Sequence, residues 1–293
     1  MVRANNKLTR FAIVAALILL SGVFLFPILI TASNSFMSLF EITDRYTSAM
    51  TPSNSIGQDG LMNYVNMSLI PAFVSFQQYI KLLFESPLYL GLFWNSVQIT
   101  LPVVIGQLLV SVPGAYAFEL SKFKYKEAVF FVYIVVMLMP LQVTLVPNFI
   151  VADFFGITDS YLAIILPGIF NPFGIFLVRQ FMKALPREYI EAAKVDGAGH
   201  ITIIASLVVP LIKSAIAAVV ILTFVEYWNL VDQAVVFIRD SNNEPLSVFL
   251  SRLSGRNLDM VFAASTFYMV PAVLIFLFGQ KEMVEGIQLS GIK

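Results

Sequence analysis

The chain has no cysteine and a single histidine, His200, among 293 residues. Disulfides, thiolate metal sites and a cysteine nucleophile are therefore excluded, as are the H-E-x-x-H zinc motif and any multi-histidine cluster. No glycine precedes a lysine, which removes the G-x-x-x-x-G-K-[ST] phosphate loop. Charge is the other shortage: Asp, Glu, Lys and Arg make up 12% of the residues, half the ~25% usual in soluble domains. Eighteen basic and eighteen acidic side chains cancel, so nucleic acid is not an expected partner. In place of charge the chain is 58% hydrophobic, with a mean hydropathy of +0.84. Its few polar residues are too little to cover a globule in water, and lipid is the simplest solvent for the rest.

Crossing the ~30 Å hydrocarbon core takes about 20 apolar helical residues. Six stretches approach that length: 11–31, and runs within 88–120, 128–151, 157–178, 203–227 and 261–280. The first exceeds the ~7–15-residue core of a signal peptide and is expected to remain as a span. Pro102, Pro113, Pro140, Pro147, Pro167 and Pro172 fall in or beside the later runs. In a bundle, neighbouring helices and waters satisfy the carbonyls that proline frees.

Lys and Arg set the orientation. With the N-terminus inside, the inner segments hold Arg3, Lys7, Arg10, Lys122, Lys124, Lys126, Arg179, Lys183, Arg187, Lys194, Lys281 and Lys293. The outer ones hold only Arg45, Lys81, Arg239, Arg252 and Arg256. The expectation is an all-α membrane protein of six transmembrane helices. Its parts are a cytoplasmic N-terminus (1–10), the first helix (11–31), a long first extracytoplasmic loop (32–87), a transmembrane core (88–280) with a cytoplasmic loop at 179–209, and a cytoplasmic tail (281–293). The long loop reads as an ordered cap with a short helix near 76–84.

The 179–209 segment carries the clearest local signal. Pro186 suits a first helical turn, and Leu185, Tyr189, Ala192 and Ala193 recur at helical spacing as an apolar stripe. Gly197 suits a left-handed helix close. Periodicity alone fits a helix lying in lipid headgroups as well as one that receives another protein.

Polar residues inside apolar runs usually face a bundle interior or a cavity. Asn95, Gln98, Gln107, Gln142, Asn148 and Asn171 are of this kind; interhelical hydrogen bonding is their ordinary role, solute contact the functional one. Asn95 and Gln98 share a face by their i, i+3 spacing. Trp94 and Trp228 fall where an interfacial belt is expected, and Glu226 and Asp232 fall near the outer surface. The mid-span regions offer no carboxylate for a coupled secondary transporter, and lone His200 offers no nucleophile-base pair for an intramembrane enzyme.

Glu191-Ala192-Ala193, three residues, Gly197, nine residues, then Leu207-x-Val209-Pro210 resembles the EAA loop of the membrane permeases of ATP-binding-cassette importers, whose usual form ends I-x-L-P. Met139-Pro140-x-Gln142-x-Thr144-x-x-Pro147, Gly156-Ile157-x-Asp159-Ser160, Gly174-Ile175-Phe176-Leu177-x-Arg179-Gln180-Phe181 and Trp228-Asn229 look like the carbohydrate branch. The end, 284–293, is similar to the tail of the maltose-type G subunit.

The resemblance covers about 94–293 and implies a type I ABC importer permease in a bacterial plasma (inner) membrane. It implies as partners a second homologous permease, two ABC ATPase subunits, an extracytoplasmic sugar-binding protein and a carbohydrate substrate. ATP and Mg belong to the ATPases, with no cofactor bound by this chain. The EAA helix would couple to an ATPase through Tyr189, Glu191, Ala192, Ala193, Asp196, Gly197 and Pro210. Asn95, Gln98, Gln142, Asn148, Asn171, Trp228 and Asn229 are the candidates for the substrate pathway. Polyols, glycerol phosphates or another small solute are the alternative cargo.

Overall fold

Pro140 and the turn before Lys213 decide how the apolar runs become helices. The computed structural model describes residues 7–47, 67–85, 87–252 and 258–290. Arg3, Arg256, much of the long loop and the last residues of the tail, among the expectations above, lie outside the described residues. Among those described the backbone is helical nearly throughout, with one isolated bridge between Met37 and Val74.

The first helix, α1 (Lys7–Asn34), exposes its apolar stretch on all sides. The second, α2, runs unbroken over Pro87–Leu120 with Pro102 and Pro113 inside. The expected third run is not one helix. Lys126–Met137 (α3) and Leu141–Phe154 (α4) meet at 101°. Pro140 has no N–H, lies extended at φ −64°, ψ 143°, and bars Met139 from helical backbone. With 12 and 14 residues, the two pieces are roughly 18 and 21 Å long, too short to cross separately.

The fourth run starts at Leu162 and not at 157, because Gly156 (φ 65°) and Asp159 (φ 61°) turn the chain first. Asp159 is held there by its N–H to Phe237 O (2.9 Å) and by Arg239 N–H to its Oδ1 (2.8 Å). Leu162–Ile169 (α5) and Pro172–Met182 (α6) then form one 21-residue crossing. It ends at Met182, past the expected 178, and takes Arg179 out of the loop. The fifth run is also bent: residues 200–211 turn 82° away from Lys213–Trp228 at Ile212, which is non-helical at φ −107°, ψ 25°. The crossing piece, α8 once the helix of the 179–209 loop is counted as α7 (Arg187–Val195), is 16 residues. The last helix, α9, spans Leu258–Ser290.

The chain divides into two compact units, 1–89 with 252–269 and 90–251 with 270–293. In the first unit the long loop has its own small core of Met37, Ile42 and Tyr46, with Phe262 packed on it. Buried Glu41 accepts the N–H groups of Ala72 (3.0 Å) and Phe73 (3.2 Å) and pairs with Arg45 (3.0 Å). The expected short helix is present as Gln77–Ile80 followed by a wider turn over Lys81–Glu85. Burial raises the Tyr46 phenol above its usual pKa.

Among the described residues of the second unit two buried clusters stand out. One gathers Val112, Tyr116, Phe130, Met182, Ile190, Ile203 and Val219; the other Ile99, Val103, Ala163, Ile164, Tyr227 and Phe237. Glycine lets α2 and α6 approach closely: a Cβ on Gly114 would lie 2.8 Å from Ile175 Cδ1, and one on Gly174 would meet Ser111.

Candidate functional site

Two places in the second unit collect the candidate residues. The first is α7. Pro186 precedes the helix in extended conformation, one residue earlier than a first-turn position. At the other end Gly197 N–H bonds Lys194 O (3.1 Å) and Ala198 N–H bonds Ala193 O (3.0 Å). With Gly197 at φ 83°, this is a Schellman close, which glycine adopts without a Cβ penalty.

The expected apolar stripe divides. Ile190 is 4% exposed and packs in the core with Met182 and Ile203, and Leu185 and Ala193 lie against the same cluster. Tyr189 (55% exposed) and Ala192 face outward with Glu188, Glu191, Val195 and Asp196. The stripe drawn from sequence joined two faces because Ile190, the true anchor, was left off it. Pro210 is exposed near the bend before α8.

Beneath α7 lies an ion network that the sequence reading missed. Arg179 is 3% exposed. Its Nε reaches Glu119 Oε2 at 3.1 Å, its Nη2 reaches Glu127 Oε1 at 2.7 Å, and its guanidinium lies 3.8 Å from the centroid of the Phe130 ring. Arg187 Nη2 approaches Glu119 Oε1 at 3.6 Å. The cluster ties the end of α2, the start of α3, the last turn of α6 and the first residue of α7. Tyr116 and His200 add a contact between Oη and Nδ1 at 3.0 Å. A buried arginine shared by two carboxylates is recognisable only when they are close, and Glu119 and Glu127 lie 60 and 52 residues away in sequence.

The second place is a cavity of about 470 Å³ that includes Asn148 and Asn171 with Thr144, Glu226, Tyr227 and Gln233. Asn171 caps α6 by accepting Phe173 N–H at 3.0 Å. The other pathway candidates are elsewhere. Asn95 is buried and donates to Asn242 O (2.7 Å) and Glu244 O (3.0 Å), whereas Gln98, its supposed face-mate, is exposed. Gln142 borders a separate apolar cavity of about 400 Å³.

Trp228 is 1% exposed, stacked on Phe224 (5.2 Å) and edge-on to Phe93 (5.5 Å). It is a core side chain, not an interfacial one, and its ring is not open to a solute. Asn229 is exposed and donates to Val225 O at 2.8 Å. Among the described residues no group of His, Asp and Glu is placed to hold a metal ion.

Residues 109–281, which contain α7 and the whole lining of the 470 Å³ cavity, match the family model of the binding-protein-dependent transport system inner membrane component. The chain belongs to this family. The permease is 30% identical over 262 residues to the arabinooligosaccharides transport system permease protein AraQ of Bacillus subtilis, covering 88% of this chain and 92% of that one. It is 30% identical over 197 residues to the lactose transport system permease protein LacG of Rhizobium radiobacter, covering 66% and 72%. A crystal structure of a bacterial ABC transporter involved in the import of the acidic polysaccharide alginate contains a chain with the same fold. It superposes with a TM-score of 0.76 at 23% identity, over 94% of the permease and 98% of that chain. The permease is thus a multi-pass inner-membrane transport component of ABC importer type.

Proposed function

We propose that the permease is one of two homologous membrane subunits of an ATP-driven importer that carries a sugar, most simply an oligosaccharide, received from an extracytoplasmic binding protein. The two relatives aligned over 88% of the chain, both arabinooligosaccharide permeases, and the Trp228-Asn229 pattern support carbohydrate; relatives named for sn-glycerol-3-phosphate align over about two thirds of the chain. Two ATPase subunits, which hold ATP and Mg, dock at the end of the second unit that bears α7, and both chain ends lie on that cytoplasmic side.

The observation that carries the reading is the two-faced character of α7. One face is anchored by Ile190 in the core; the other presents Tyr189, Glu191, Ala192 and Asp196, all exposed among the described residues. A push on the open face passes through Ile190 and the Arg179 cluster into α2, α3 and α6 as a rigid displacement, since packed cores do not deform continuously. Transport then follows from differential binding of the ATPases to two arrangements of the bundle, with no bond chemistry in this chain.

Uptake of labelled oligosaccharide, measured beside co-purification of the ATPase, tests this. Glu191→Lys reverses a charge on the open face and is expected to abolish uptake while membrane insertion is unchanged. Normal uptake by this variant with native partners present would overturn the docking role. A helix lying in headgroups predicts no loss from an added lysine.

A further inference from the structure

Glu226 is left unused by the coupling reading. It stands in the last turn of α8, exposed into the 470 Å³ cavity with Thr144, Asn148, Asn171, Tyr227 and Gln233. Two breaks in the backbone open into the same space. Met139 belongs to the turn at Pro140, and Asn171 to the restart between α5 and α6. Non-helical backbone at membrane depth persists only where it is buried in protein or lines water. A carboxylate open to hydrocarbon is costly, and such groups mark solute pathways. The breaks and the carboxylate together give this wall polar groups that water or a solute can meet.

The composition of the wall limits what it accepts. Among the described lining residues none is Lys, Arg or His. The neutral groups suit hydroxyls. Thr144 donates to Leu141 O (2.9 Å) and keeps its lone pairs, and Asn171 uses Oδ1 on Phe173 N–H while its amide group also bonds Tyr227 beside it. Glu226 accepts hydrogen bonds from hydroxyls and repels another anion.

We propose that this cavity contacts the transported solute and selects it by charge: it takes an uncharged polyhydroxylated solute, and Glu226 disfavours a carboxylated or phosphorylated one. The proposal rests on the permease reading above and names its solute class.

The absence of cysteine permits a direct test in the assembled transporter. Asn148→Cys is labelled with a cationic trimethylammonium and an anionic sulfonate methanethiosulfonate of similar size. After normalisation to free thiol, the cationic reagent is expected to react roughly tenfold faster. Glu226→Gln in the same background is expected to bring the ratio close to one. Gln233→Cys gives the same measurement if Asn148→Cys does not insert.

A neutral oligosaccharide is expected to slow labelling, and its uronic-acid counterpart is not. A ratio indifferent to Glu226→Gln overturns the proposal. So does failure of both cysteines to react while Ser241→Cys labels in the same membranes. Because the reagents need no binding protein, the labelling is scored apart from uptake. Glu226-dependent labelling without any saccharide uptake upholds the charge-selective wall and overturns the sugar-importer reading.

Discussion

Arg179 has two carboxylates within 3.1 Å and a ring face within 3.8 Å, and only a guanidinium can serve all three at once. Its planar fork meets both acids while the plane lies on Phe130; an ammonium is a point donor that serves one. Glu119 is 11% exposed, so removing Arg179 leaves a mostly buried charge with the longer 3.6 Å approach of exposed Arg187 in place of the direct contact. Glu127 is 67% exposed and contributes less, about 0–1 kcal/mol. Arg179→Ala is expected to cost roughly 3–5 kcal/mol, seen as a lower midpoint of thermal unfolding in detergent. Arg179→Lys is expected to recover only part of it. Full recovery by lysine would show that simple charge, not the fork, matters here.

Glu41 presents a parallel case in the first unit. Its carboxylate accepts two backbone N–H groups and pairs with Arg45. Glu41→Ala removes the charged acceptor of those part-buried donors, and we expect a local loss of about 1.5–3 kcal/mol. Faster limited proteolysis between residues 67 and 85, with α2 still intact, is the readout.

At the scale of elements, the bend between α3 and α4 is a backbone decision made by one residue. Replacing Pro140 with leucine restores an N–H donor and frees Met139 to enter the helix. Spin labels at the exposed positions Val132 and Val146 are expected to move apart in Pro140→Leu, toward the ~21 Å of a continuous helix. An unchanged distance would show that packing around α4 holds the bend without the proline. The close of α7 makes a second prediction. Gly197→Val places a β-branched residue at φ 83°, where such residues are outliers, and is expected to fray the helix end and sharply reduce ATP-driven uptake while insertion is retained.

At the scale of the whole molecule, orientation follows from the Lys and Arg distribution. Single cysteines at Ser121 and Ser241 report it. An impermeant thiol reagent applied to intact cells is expected to reach Ser241→Cys and to spare Ser121→Cys; labelling of the second would invert the topology. Asp159 is unsuitable for this purpose, because its carboxylate accepts Arg239 N–H and steadies a left-handed residue.

Local chemistry was sufficient for the α-helical membrane class, the apolar runs, the helix before Gly197 and the short helix near 76–84. Each depends on neighbours a few residues apart, where hydropathy, proline and glycine act directly on the backbone. The EAA spacing likewise made the family legible, since it is itself a local pattern. Which face of α7 is open was not legible, because Ile190 and Tyr189 are both apolar enough for either side and only packing against Met182 and Ile203 separates them. The same holds for Trp228, buried on Phe224 and Phe93 although its position suggested an interface, and for Asn95, engaged by carbonyls 147 and 149 residues away. The Arg179 cluster and the cavity around Glu226 are assembled from distant segments. Their chemistry arises from proximity, which sequence order does not encode and which the bends, glycine contacts and core packing of the second unit impose.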